Sequence, residues 1–96
     1  MSEQKFSTMA RKMVEEYYID HNNPVSFYDI YIVWNCKILQ NNKCLLSTPI
    51  EDGLYFEITY NGDKKEFYVD VYKKQETHKI KEEQTNDIFT DCNTFK

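Results

Sequence analysis

Phe6, Met9, Ala10, Met13, Val14 and Tyr17 recur at three- and four-residue intervals, while Lys5, Arg11, Lys12, Glu15 and Glu16 fall mostly outside that stripe. The spacing predicts an amphipathic helix over about 3–20. Ser2 is the expected N-cap, with Glu3 and Gln4 in the first turn, and Asn22-Asn23-Pro24 is the expected stop, because the residue before proline is pushed out of the α region. From Ile30 the period changes to two. Ile30, Ile32, Trp34, Cys36 and Ile38 alternate with Tyr31, Val33, Asn35, Lys37 and Leu39, which predicts a strand with the first set turned toward the helix. Gln40-Asn41-Asn42 reads as a short polar connection into a second strand over 43–48, and Pro49 through Gly53 as a wider turn.

Two further strands, about 54–60 and 65–73, flank Asn61-Gly62. Asn and Gly tolerate the positive φ of a type I′ turn, so the segment reads as a β-hairpin. With Asn61-Gly62 as a two-residue loop, Phe56 faces Phe67, Leu54 faces Val69 and Tyr55 faces Tyr68. That register sets Glu57 against Glu66, so a four-residue loop from Asn61 to Lys64 is an open alternative. Both keep the same inward face. The resulting fold class is α+β: an N-terminal amphipathic helix packed on a four-stranded antiparallel β-meander, with Ile32, Trp34, Phe56, Phe67 and Val69 under the helix. Residues 1–78 form the expected domain. Residues 79–96 form a polar tail, mobile or docked as a short turn, with Ile80, Ile88 and Phe89 its sizeable apolar residues.

A chain of 96 residues supports one thin core, in which eight Tyr and six Phe supply much of the apolar area. The net charge of −4 argues against non-specific nucleic-acid or anionic-membrane binding, which needs clustered Lys and Arg. Cys36, Cys44 and Cys92 make an odd set without CxxC spacing, and no leader-like cationic and apolar pattern accompanies them. A reducing cytoplasm is the expected compartment. No apolar run approaches the ~20 residues of a membrane span.

Catalytic, cofactor and metal motifs are not found in the pattern. His21 and His78 lack a second His or Cys at ligand spacing, and His21 reads as a solvated residue at a helix C-terminus. Cys36 and Cys44 are expected to face one another across the first hairpin as reduced thiols. Glu15-Glu16 and Glu82-Glu83 read as solvated charge. The helix-free face is the candidate site, carrying Tyr31, Val33, Tyr55, Glu57, Tyr68, Asp70 and Tyr72. Tyrosine joins a rigid apolar ring to a polar tip, a combination enriched at protein interfaces. Set against that reading is the ordinary preference of Tyr for half-exposed strands. Base stacking on such a face would need a basic groove, for which Lys37, Lys43, Lys64 and Lys65 would have to form one stripe.

Three blocks carry a resemblance. They are Val33-Trp34-x-Cys36-Lys37-x-Leu39-Gln40-Asn41-Asn42-Lys43-x-Leu45-Leu46-Ser47-Thr48, then Asp52-Gly53-Leu54-Tyr55-Phe56-Glu57-x-Thr59-Tyr60-Asn61-Gly62-Asp63-Lys64, then Asp70-x-Tyr72-Lys73-Lys74. Together they cover about half the chain, which resembles an uncharacterised small-protein family of phages and prophages of Gram-positive bacteria. The resemblance implies a phage-derived context and brings no catalytic residue. The functional expectation is a non-enzymatic accessory protein of the bacterial cytoplasm. It would bind a host or phage protein, or a second copy of itself, through Tyr31, Tyr55, Glu57, Tyr68, Asp70 and Tyr72. Its rivals are an acidic inhibitor of a host defence system such as an RNA-guided nuclease, and a nucleic-acid-binding protein. No cofactor is expected.

Overall fold

The computed structural model describes residues 1–83. Helix α1 spans Glu3–Asp20, and Ser2 caps it by accepting the Lys5 N–H at 3.1 Å. The chain leaves the helix through Asn22 at φ 57°. There the Asn22 N–H bonds the Ile19 carbonyl at 3.1 Å and the Asn23 N–H bonds the Tyr18 carbonyl at 2.9 Å. This is a Schellman ending with Asn in the left-handed position, so the helix is closed before Pro24 is reached. A short 3₁₀ turn, Phe27–Asp29, follows, capped by Ser26.

The strands β1 (Tyr31–Ile38), β2 (Asn41–Ser47), β3 (Leu54–Asn61) and β4 (Glu66–Lys73) form one antiparallel sheet in the order β1-β2-β3-β4. The expected helix-plus-meander architecture is therefore observed. Phe6, Ala10, Val14 and Tyr18, each four residues after the last, bury one helix stripe against Ile30, Cys44, Leu46, Phe56 and Ile58. Phe56 is the hub. Its ring meets Tyr17 at 5.0 Å and Tyr18 at 5.6 Å, both edge-on. Tyr18, absent from the predicted stripe, is fully inside, whereas Met9, Met13 and Tyr17 are only half-buried.

Three expectations are corrected. First, the β1–β2 register shifts between Ile32 and Trp34, so that Ile32 opposes Leu46 and Trp34 opposes Leu45. Val33 is the extra residue of a β-bulge, and beyond it the strand's faces are exchanged. Trp34, Cys36 and Ile38 point away from the helix, while Asn35 and Lys37 point toward it. There Asn35 Nδ2 donates to Ser7 Oγ, and Lys37 Nζ donates to the Met1 carbonyl, each at 2.9 Å. Second, Cys36 opposes Lys43 and Cys44 opposes Asn35, so the two thiols lie on opposite sides of the sheet. Third, Val69 shares the helix-side face but is 44 % exposed, because the helix lies mainly over β1, β2 and β3 and reaches β4 only where Phe6 stacks on Phe67.

The last hairpin also differs in detail. Its loop is Gly62–Lys65, so Phe56 faces Val71 and Tyr55 faces Tyr72, four residues along from the two-residue-loop register. Asn61 Oδ1 accepts the Asp63 and Lys64 N–H groups at 3.1 and 3.2 Å, and Lys65, not Asn61 or Gly62, takes the positive φ. Gly62 is required for another reason. A Cβ there would lie 2.2 Å from the Gln40 carbonyl oxygen of the neighbouring turn. The expected tail is exposed through Glu83. Its remainder, including Ile88 and Phe89, lies outside the described residues. No helix among the described residues is long and apolar enough to cross a membrane.

Candidate functional site

The strand registers arrange the helix-free face in rows running from β1 to β4. Trp34 opposes Leu45, Leu45 opposes Glu57, and Glu57 opposes Asp70. The next row is Cys36, Lys43, Thr59 and Tyr68. On the other side, Tyr31 opposes Ser47 and Tyr55 opposes Tyr72. All six residues named as the candidate site thus share this face, and Tyr55 with Tyr72 and Glu57 with Asp70 are direct cross-strand neighbours. Val33, expected with them, occupies the bulge.

Sequence alternation missed Trp34, Cys36, Ile38 and Leu45. Their signal was the unbroken run Ile30-Tyr31-Ile32-Val33-Trp34, which fits neither face cleanly and leaves room for a bulge. Trp34 is 41 % exposed and Ile38 64 %. With Cys36, Lys43 and Thr59 they line a groove of about 420 Å³. The face is therefore more apolar and aromatic than alternation indicated.

Its charges are largely engaged locally. Lys43 Nζ lies 3.2 Å from Glu57 Oε1, which offsets the repulsion between Glu57 and Asp70. Tyr68 donates its hydroxyl to Glu66 Oε2 at 2.5 Å. That bond to a carboxylate raises the phenol pKa, since the neutral form is the one that donates. Lys37 is on the opposite side of the sheet, Lys43 is paired, and Lys64 and Lys65 lie in or beside the distal loop. The four lysines do not form a stripe.

A second cavity, about 570 Å³, sits at the β2–β3 turn between Tyr31, Thr48, Asp52, Tyr55 and Lys74. Of its two carboxylate residues, Glu51 and Asp52, Asp52 is committed to structure. Asp52 Oδ2 accepts from the Tyr18 hydroxyl at 2.6 Å and Oδ1 from the Leu54 N–H at 3.0 Å. Burial first, then this hydrogen bond, pushes the Tyr18 phenol up to about 12. Among the described residues, no group of three His, Cys, Asp or Glu side chains is placed to hold a metal ion.

Comparison with known families matches residues 5–82 to DUF6275, a family of unknown function. The chain belongs to DUF6275. The match spans the helix, all four strands and most of the exposed segment after β4. No curated protein and no solved structure matches the chain.

Proposed function

We propose that this DUF6275 member is a non-enzymatic accessory protein of phage or prophage origin, acting in the bacterial cytoplasm by binding another protein on its helix-free face. One observation carries the reading. The bulge at Val33 delivers Trp34, Cys36 and Ile38 to the same surface as Tyr31, Tyr55, Tyr68 and Tyr72. Strand propensity accounts for tyrosines on a half-exposed sheet. It does not account for a bulge that turns the chain's single tryptophan outward. Trp and Tyr are the residues that most often anchor protein interfaces, where a few buried rings supply most of the affinity. The phage context rests on the three sequence blocks that resemble phage and prophage proteins.

The charges favour neither rival. A defence inhibitor that imitates nucleic acid needs unpaired acidic surface, whereas Glu57 is bound to Lys43 and Glu66 accepts from Tyr68. A nucleic-acid binder needs its lysines on one side. The test is affinity capture from lysates of the bacterial host, comparing the parent with a Trp34→Ser/Tyr68→Ser/Tyr72→Ser variant whose circular dichroism matches it. A partner held by the parent and lost by the variant is the expected result. Equal capture by both would remove this face as the binding site.

A further inference from the structure

We infer that β4 is a self-pairing edge, through which two copies of this chain join their sheets into one eight-stranded antiparallel sheet about a two-fold axis at Val69. The seam shares Tyr68, Asp70 and Tyr72 with the aromatic face but not Trp34 on β1, so substitutions at Val69 report on the seam and the environment of Trp34 reports on the face. Among the described residues, the sheet has two edges without a neighbouring strand, β1 and β4. Edge strands expose unpaired amides and are usually blunted by bulges or covered. β1 has its bulge at Val33, and Asn35 and Lys37 tie it to the helix N-terminus. Among the described residues, β4 has neither device. It runs eight residues in unbroken register with β3.

The direction of its free amides follows from one bond. Lys74 donates its N–H to the Gly53 carbonyl at 2.7 Å, so Lys74, Tyr72, Asp70, Tyr68 and Glu66 address β3. Alternate residues point the other way. Phe67, Val69, Val71 and Lys73 therefore present their N–H and C=O groups outward, a row that water solvates in the monomer and that an extended strand can pair in full. Val69 and Val71 are also 44 % and 40 % exposed beside the helix, so a partner strand would cover apolar side chains as well as amides.

The strand itself supplies a matching partner. Antiparallel pairing about Val69 sets Val69 on its own copy, Phe67 opposite Val71, Tyr68 opposite Asp70 and Tyr72 opposite Glu66. Outward-facing amides meet outward-facing amides, apolar side chains meet on the helix side, and tyrosine hydroxyls meet carboxylates on the other. Centring one residue further on would oppose Asp70 to Asp70 across the axis, with two carboxylates in contact. An unrelated extended peptide could supply the amides without this internal match. A single strand of ~27 Å offers less than the ~1,600 Å² of a standard interface, so the dimer is reversible. Lys65 approaches Lys73 of the second copy, and added salt tightens the pair by screening them.

Sedimentation of the full chain over micromolar to millimolar concentrations tests the seam. The expected result is a monomer–dimer equilibrium that shifts toward dimer with salt and is abolished by Val69→Pro, which removes an N–H that β3 does not use. Should that variant lose its fold, Val69→Lys, a change at an exposed position, serves in its place. Val69→Cys should give an oxidised dimer whose crosslink joins the two altered peptides, with Asp70→Cys crosslinking at least tenfold less. A parent that stays monomeric throughout overturns the proposal. So does a dimer that persists in folded Val69→Pro or Val69→Lys, or a preference for the Asp70→Cys crosslink.

Discussion

Phe56 and Trp34 are both large rings on the sheet, and their surroundings separate them. Phe56 is fully buried among Tyr17, Tyr18 and the helix stripe. Phe56→Ala is expected to cost about 3–5 kcal/mol by the transfer and cavity effects of a lost core ring. Trp34 stands on the open face, and Trp34→Ala is expected to cost about 1 kcal/mol or less. Urea denaturation of both variants checks the contrast, and equal losses would return Trp34 to the core. Gly62 makes a different demand on its surroundings. Because a Cβ would strike the Gln40 backbone and not a mobile side-chain end, Gly62→Ala is expected to cost about 1–3 kcal/mol. A thermal melt unchanged from the parent would mean that the two turns part freely.

At the scale of elements, the parity of each register error decided what the sequence could reveal. The last hairpin sits four residues along from the two-residue-loop register, yet Leu54, Phe56, Phe67 and Val71 keep their common face, because an even slip leaves side-chain direction unchanged. The bulge at Val33 adds one residue, and so every side chain after it changes sides. Strict alternation passes over that insertion, whose one mark is the unbroken run Ile30-Tyr31-Ile32-Val33-Trp34, which is why the tyrosines of the candidate site were legible and Trp34 was not. The helix was legible from its stripe. Its inward rotation brings Tyr18 to the β2–β3 turn, where Asp52 accepts the Tyr18 hydroxyl. This clamp has a pH signature. Tyr18 is pushed up to about 12, as is the buried Cys44 thiol, against unfolded values of about 10 and 8.5. In alkali the unfolded chain releases these protons first, so their stabilising contribution is complete below about pH 8.5 and is lost as pH rises toward about 12. Denaturation midpoints should fall across that window, and Tyr18→Phe should remove part of the slope. Midpoints level from pH 8 to 11 would show that neither group is buried as described.

Among the described residues, helix α1 lies on one side of the sheet and leaves a face and an edge without partners. Residues after Lys73 are exposed through Glu83, so a chain ending at His78 is expected to keep cooperative unfolding. Loss of cooperativity would place the tail in the fold. The two unpartnered surfaces are separable by a single probe, because the only tryptophan lies on β1 and the proposed seam on β4. Three strand spacings part them, roughly 14 Å. A protein bound on the face must cover or approach Trp34, whereas a second copy paired along β4 leaves it in solvent. Raising the concentration of the pure chain through its dimerisation range should therefore leave tryptophan emission and iodide quenching unchanged. Adding a captured partner should shift emission to the blue and protect Trp34 from quenching several-fold. A partner that binds without altering either signal would move the binding site off the Trp34 row. Emission from the free chain that is already blue and unquenched would contradict the outward turn at Val33, on which the aromatic face depends.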